Sequence, residues 1–501
     1  MHRIAAHSSV AAAPTIAGRA KAPPPSAIAP PRQGTTVVPV AIAAVIIAAA
    51  ILFDLALGGL VALVLAPIGA YLAYRHPVAA VLTLFLVLGF AGTLLAFADL
   101  RVRPIADLVL VSLWAGVLVG YLRGRDRPLW LWPGLLAPAL YCVLTVLWAA
   151  FDSPAPDRLA PLHLSVWTMS AVLLAAMAPW TRDRAPALAK AALVAGGAVG
   201  AYAVYQWVVG PTPEQELVAK LAVPAKPSGV DLRFYGSLPA AQSLALVTGT
   251  LLPVAAALML AWRGRWRVTA AAVVALCGFA VVASEVRTGT VAAVAGIALV
   301  LLLYQMSRAF PGGTRVATSL AAIVMVAVIG VGGFALTVGA SDERADRFAR
   351  ILTPGEDFAY ESRVALWEDA WPLVLHEPFG HGLGTSGNLA AEQDEFVPPA
   401  ADYLDSTYLK VGIEQGLFMM LLFIAALIAL GVGIAGRAIA TRDQTAAALG
   451  IGATGSLLAF AIFFYTGFYI EQAQTLIPWL LIGIGAGQFT GPPRAAGSSP
   501  R

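Results

Sequence analysis

The sequence predicts an all-α polytopic membrane protein with 12–14 transmembrane helices and one large helical extracytoplasmic loop. Three observations predict it. Of the 501 residues, 59% are hydrophobic and 12% charged, with a mean hydropathy of +0.79. Apolar runs long enough to cross a bilayer, about 20 residues each, recur along the chain. Arginine-rich connectors fall on alternate sides of those runs.

Residues 1–36 are rich in Ala and Pro, with Pro23-Pro24-Pro25 and Pro30-Pro31, and carry no apolar run of their own. They are expected to form a disordered cytoplasmic tail. Spans are predicted near 37–53, 55–74, 78–98, 105–122, 133–150, 162–179, 187–209, 238–261, 268–284, 288–306, 316–338, 408–435, 445–468 and 473–489. Each must be helical, because lipid offers no partner to a backbone N–H or C=O. Only Asp54 separates the first two, which sets the lower end of the range. The expected organisation is a transmembrane bundle over 37–338 with an outer loop at 210–237, a loop domain over 339–405, further transmembrane helices over 406–489, and a second cytoplasmic tail at 490–501.

Charge sets the orientation. With a cytoplasmic N-terminus, the inner connectors hold most of the 32 Lys and Arg residues. Among the acids they hold only Asp126, Asp183 and Asp443. The runs at 123–127, 181–184 and 263–267 alternate as the positive-inside rule requires. Both termini are then expected in the cytoplasm and 339–405 outside. The net charge of +4 reports this anchoring and gives no reason to expect nucleic acid. Cys142 and Cys277 lie inside predicted spans, as packing residues.

The polar chemistry gathers on the outer face. Segment 210–237 ends in Arg233-Phe234-Tyr235-Gly236. A tight turn carries Ser284-Glu285-Val286-Arg287-Thr288-Gly289. In the long loop, a serine cap and i,i+4 pairs of acid and base predict a helix over 341–352. Val364, Trp367, Trp371 and Val374 predict one face of a second helix over 361–375, set on the lipid interface or on the top of the bundle, with Pro372 kinking or ending it. The glycines of Pro378-Phe379-Gly380-His381-Gly382-Leu383-Gly384 permit close backbone approach, to another helix or to a substrate. Ser386 is expected to be open to an aqueous thiol reagent once replaced by Cys.

The stretch from Glu361 to Leu421 resembles the shared domain of the O-antigen ligase and polymerase family, bacterial membrane enzymes that handle lipid-linked glycans. The residues that carry the resemblance are Arg363, Trp367, the glycine run 380–384, a polar pair followed by Tyr408-Leu409, and Glu414-x-Gly416-Leu417. Arg233 with Gly236, and Ser284 with Arg287, look like the family's two upstream outer arginine motifs. Ligases of this family carry a histidine followed by Asn, Ser or Gln, with a glycine ten residues after the pair. Here the pair is Asp405-Ser406 and the glycine is Gly416. The aspartate shifts the expectation toward a surface polysaccharide polymerase.

The resemblance implies transfer of a glycan from an undecaprenyl-pyrophosphate carrier to a sugar hydroxyl, on the outer side of the bacterial cytoplasmic membrane. Arg233, Arg287 and Arg363, with Tyr408, are the expected contacts to pyrophosphate and glycan, since a guanidinium fork matches phosphate oxygens. Asp405 is the expected base, with His381 second. Capping the following span is the other reading of Asp405. Pairing with Glu285 is the other reading of Arg287. For Arg363 it is pairing with Glu361 or stacking on Trp367. Tyr408 and Glu414 are also read as packing or orienting residues. His163, His376 and His381 lack ligand spacing, so neither a metal nor a cofactor is expected. The expected partners are the lipid-linked donor, a glycan acceptor, the bilayer and other polysaccharide-assembly proteins. The competing functions are ligase-type transfer to lipid A or another acceptor, and a transporter or lipid-linked glycan flippase.

Overall fold

The computed structural model describes residues 68–99, 102–122, 132–152, 162–222, 234–310, 358–387, 405–467 and 472–490. Helices α1 (Ile68–Arg75) and α2 (Pro77–Gly89) meet at 112°. Pro77 explains that break: a helix seldom continues through the residue before a proline, and proline suits the first turn of the next one. α3 (Ala91–Ala98), α4 (Val102–Leu122) and α5 (Pro133–Asp152) follow. A π-turn, His163–Trp167, then leads into α6 (Thr168–Met177) and α7 (Pro179–Asp183). Next come α8 (Ala185–Val209), α9 (Pro213–Ala222), α10 (Ala241–Ala261), α11 (Arg265–Ala283) and α12 (Arg287–Met306). The C-terminal part comprises α13 (Phe358–His376), α14 (Thr407–Gln415), α15 (Leu417–Ala440), α16 (Gln444–Tyr465) and α17 (Leu476–Gly487).

Among the described residues, eight helices are long and apolar enough to cross a membrane, or nine if the bent pair α1–α2 counts as one. The expected spans at 37–53 and 316–338, most of that at 55–74, and the helix at 341–352 lie outside the described residues. Three expected spans are interrupted. The one at 78–98 breaks at Phe90 into α2 and α3. The one at 162–179 begins as the π-turn and continues as the short α6. The one at 408–435 divides at Gly416, where φ is +89° and both flanking helices stop.

α10 lies at the centre of the bundle. Its apolar residues surround the helix on every side, and a helix that is apolar all round belongs in a core. It packs on α11, α12 and α16. Small residues bring the backbones together: a Cβ on Gly452 would lie 2.8 Å from Val254 Cα, and one on Gly455 would lie 2.7 Å from Gly296 O. With lipid outside, helix association depends on such close packing rather than on burial of apolar area. Cys142 and Cys277 are buried free thiols, as their placement in spans implies.

The described part of the segment expected to form the long loop packs on α14. Trp367, Ala370 and Val374 of α13 pack against Leu409 and Ile413 of α14. α13 continues through Pro372 to His376, so that proline does not end it. Trp371, expected on one face with Trp367 and Val374, is instead 42% exposed, while Ala370 is buried beside them. Ser386 is fully buried, contrary to its expected exposure, for a reason that lies in the site.

Candidate functional site

α14 organises the site. Its N-terminal end carries Asp405, Ser406 and Thr407, and its C-terminal end carries Glu414, Gln415 and Gly416. Ser406 is the N-cap, its hydroxyl accepting from Leu409 N. Asp405 therefore does not cap the helix. Its backbone is left-handed, at φ +41°. Aspartate tolerates that region better than most residues, and non-glycine residues held there concentrate at functional sites.

The half-exposed Asp405 carboxylate accepts from Arg363 Nε at 3.0 Å. This partner is neither of the two that the sequence offered for Arg363, Glu361 and Trp367. The Trp367 ring instead tilts against Tyr465, with centroids 4.7 Å apart. A loop arginine and the acid before α14, 42 positions apart, thus form one polar pair.

The C-terminal end of α16 mounts the surrounding segments. Thr407 Oγ1 donates to Gly467 O at 2.6 Å, and Tyr408 OH donates to Ala461 O at 2.9 Å. Thr466 Oγ1 donates to Thr288 Oγ1 at 3.0 Å. Thr288 follows Arg287, the first residue of α12. The same end of α16 therefore holds α12 with Arg287, α14 with Asp405, and, through Trp367, α13 with Arg363. The turn before Arg287 is fixed from within. Buried Ser284 donates to Val281 O and accepts from Val286 N, and Glu285 takes φ +56°. Tyr408 donates its hydroxyl to Ala461 O and lays its ring against Phe423 and Phe464.

The glycine run wraps the other end of α14. His381 N donates to Ile413 O, and Gly382 N donates to Glu414 O. Gly380 and Gly416 face each other so closely that a Cβ on Gly416 would lie 2.1 Å from Pro378 O. Of the two partners the sequence left open for these glycines, the structure supplies a helix. The wrap encloses Glu414, whose Oε1 accepts from Gly384 N at 3.1 Å and from Ser386 Oγ at 3.2 Å. It also accepts from Lys410 Nζ at 2.5 Å, and Lys410 donates again to Ser386 O. Both charged side chains are almost wholly buried, at 2% and 1% exposure. Gln415 ties this end to α5 through Thr145 and Tyr141. Ser386 is buried because it belongs to this cluster.

His381 is exposed and sits at the C-terminal end of α14, with Asp405 just before its N-terminal end. About 12 Å of helix separates the two ends at 1.5 Å per residue. The two expected bases are not brought together. Arg233 lies outside the described residues. The turn just after it packs on α2, with Ser237 Oγ donating to Gly89 O. Nearby, Tyr235 is buried, and burial, with a smaller contribution from the Glu216 charge, pushes its hydroxyl up to about 12. Among the described residues, no three His, Cys, Asp or Glu side chains gather as a metal site.

Lys410 was not singled out in the sequence. The available signal was its i,i+4 spacing to Glu414 within an apolar stretch, where a charge seldom sits without a partner.

Residues 271–424 match the family model described as O-antigen ligase. Over that segment the chain is similar to the O-antigen ligase family, in line with the resemblance read from the sequence. Arg287, Arg363, His381, Asp405, Lys410 and Glu414 fall inside the matched segment, and Arg233 falls outside it. No curated protein matches the sequence.

Proposed function

We propose that this protein is a polysaccharide polymerase of the family, acting on the outer side of the bacterial cytoplasmic membrane. It transfers a glycan from an undecaprenyl-pyrophosphate carrier to a sugar hydroxyl. The observation that carries this reading is the Arg363–Asp405 pair, which lies with Arg287 inside the matched segment and is held with it at one end of α16. The acceptor hydroxyl gives its proton to the Asp405 carboxylate, and its oxygen bonds to the anomeric carbon of the donor. The bond from that carbon to the pyrophosphate oxygen breaks, and undecaprenyl pyrophosphate leaves. Arg363 holds the direction of the carboxylate. Arg287 opens α12, where the helix dipole and a guanidinium act together on developing phosphate charge. Aspartate in the place of the ligase histidine supports polymerase over ligase.

Two measurements test the reading. Purified protein incubated with a lipid-pyrophosphate-linked glycan is expected to give a product ladder on sizing. A single transfer to a different acceptor indicates a ligase instead. Arg287→Ala is expected to lower the transfer rate about a hundredfold, on the order of 3 kcal/mol of transition-state stabilisation. Arg287→Lys, which keeps the charge but loses the fork, falls between. Full activity in Arg287→Ala removes Arg287 from the mechanism.

A further inference from the structure

We infer that the C-terminal half of α13 lies in the outer leaflet of the bilayer and seats the long loop on the membrane. Among the described residues, α13 packs on its neighbours through the side that carries Trp367, Ala370 and Val374. Its open side changes character along the axis. Glu361, Glu368 and Leu375 are spaced by seven residues, so they share nearly one azimuth. The two acids are exposed, and Leu375 is 60% exposed. Trp371, beside it at i,i+4, is 42% exposed. One face thus passes from carboxylates to large apolar side chains over about 10 Å of helix. His376 is turned about 100° from Leu375 and bonds back to Pro372 O.

The apolar end is continuous with the lipid-facing surface of the bundle. Phe379, 62% exposed, lies just past α13. Its ring stacks on Trp148 of α5 at 6.2 Å and tilts against Phe418 of α15 at 6.1 Å. Phe418 and Leu421 are themselves 62% and 52% exposed on α15, which is long and apolar enough to span. Trp371, Leu375, Phe379 and Phe418 therefore form one apolar edge at the ends of two spans, with tryptophan where a membrane interface favours it. Two helices long and apolar enough to span, α5 and α15, end at this edge, so the occupant that fits it is lipid. The boundary between water and lipid crosses α13 between Glu368 and Leu375. Arg363 is left on the aqueous side, about 18 Å along the helix from Leu375.

The test places a nitroxide at Leu375→Cys, Glu368→Cys or Phe418→Cys in the full chain, reconstituted in phosphatidylethanolamine and phosphatidylglycerol vesicles. The native cysteines are buried and escape the label. Collision with oxygen, which partitions into lipid, is compared with collision with a water-soluble nickel complex. The expected oxygen-to-nickel ratio at 375 matches that at 418 and is severalfold above that at 368. Phe379→Cys gives the same reading should Leu375→Cys fail to insert. A ratio at 375, or at 379 in its place, equal to that at 368 overturns the inference and leaves the proposed transfer reaction untouched.

Discussion

Glu414→Ala is expected to destabilise the protein by about 3–5 kcal/mol, the usual effect of removing one partner from a buried ion pair. The carboxylate is the shared acceptor for Lys410, Gly384 and Ser386. Its loss leaves an ammonium buried at 2% exposure and frees the wrap formed by residues 380–387. Replacing both partners, Lys410→Met with Glu414→Leu, is expected to recover much of that loss, because two apolar side chains leave no unpaired charge. Thermal unfolding in detergent measures both. Equal destabilisation in the single and double variants assigns the effect to backbone packing of the wrap rather than to the charge pair.

Asp405→Asn is expected to lower the transfer rate about 10²–10⁴-fold, the range of a positioned general base. Stability is expected to change little. The pair with Arg363 is one-third to one-half exposed, and such pairs contribute about 0–1 kcal/mol. Ser406 supplies the cap of α14, so the substitution removes none of the helix's terminal hydrogen bonding. Asparagine also tolerates the left-handed backbone that Asp405 adopts. Loss of rate without loss of stability is the signature that separates catalysis from scaffolding at this position.

Much of the fold was legible. α10 and α16 read as spans because length and apolarity suffice to define a helix in lipid. α13 read as a helix from the spacing of Val364, Trp367 and Val374. Whether Trp371 faced the bundle or the lipid was not legible, because an apolar side chain satisfies a protein core and a bilayer equally and spacing alone does not tell them apart. The break at Gly416 was hidden because the sequence around it remains apolar, while its cause is the close approach of Pro378 from another segment. Site legibility followed the same division. Asp405 and Arg287 stood out as polar residues at apolar boundaries, and Arg363 through the family resemblance. The partnership of Arg363 with Asp405 did not, because it joins a loop helix to the start of another helix through tertiary contact. Lys410 was passed over since its partner and its burial emerge only when the glycine run closes over α14.

The most direct measurement is the glycan transfer rate of Asp405→Asn, beside its melting temperature, with a lipid-pyrophosphate-linked donor. The account predicts a folded, stable protein whose transfer is lost about 10²–10⁴-fold. A folded Asp405→Asn protein that transfers glycan at the parental rate contradicts it.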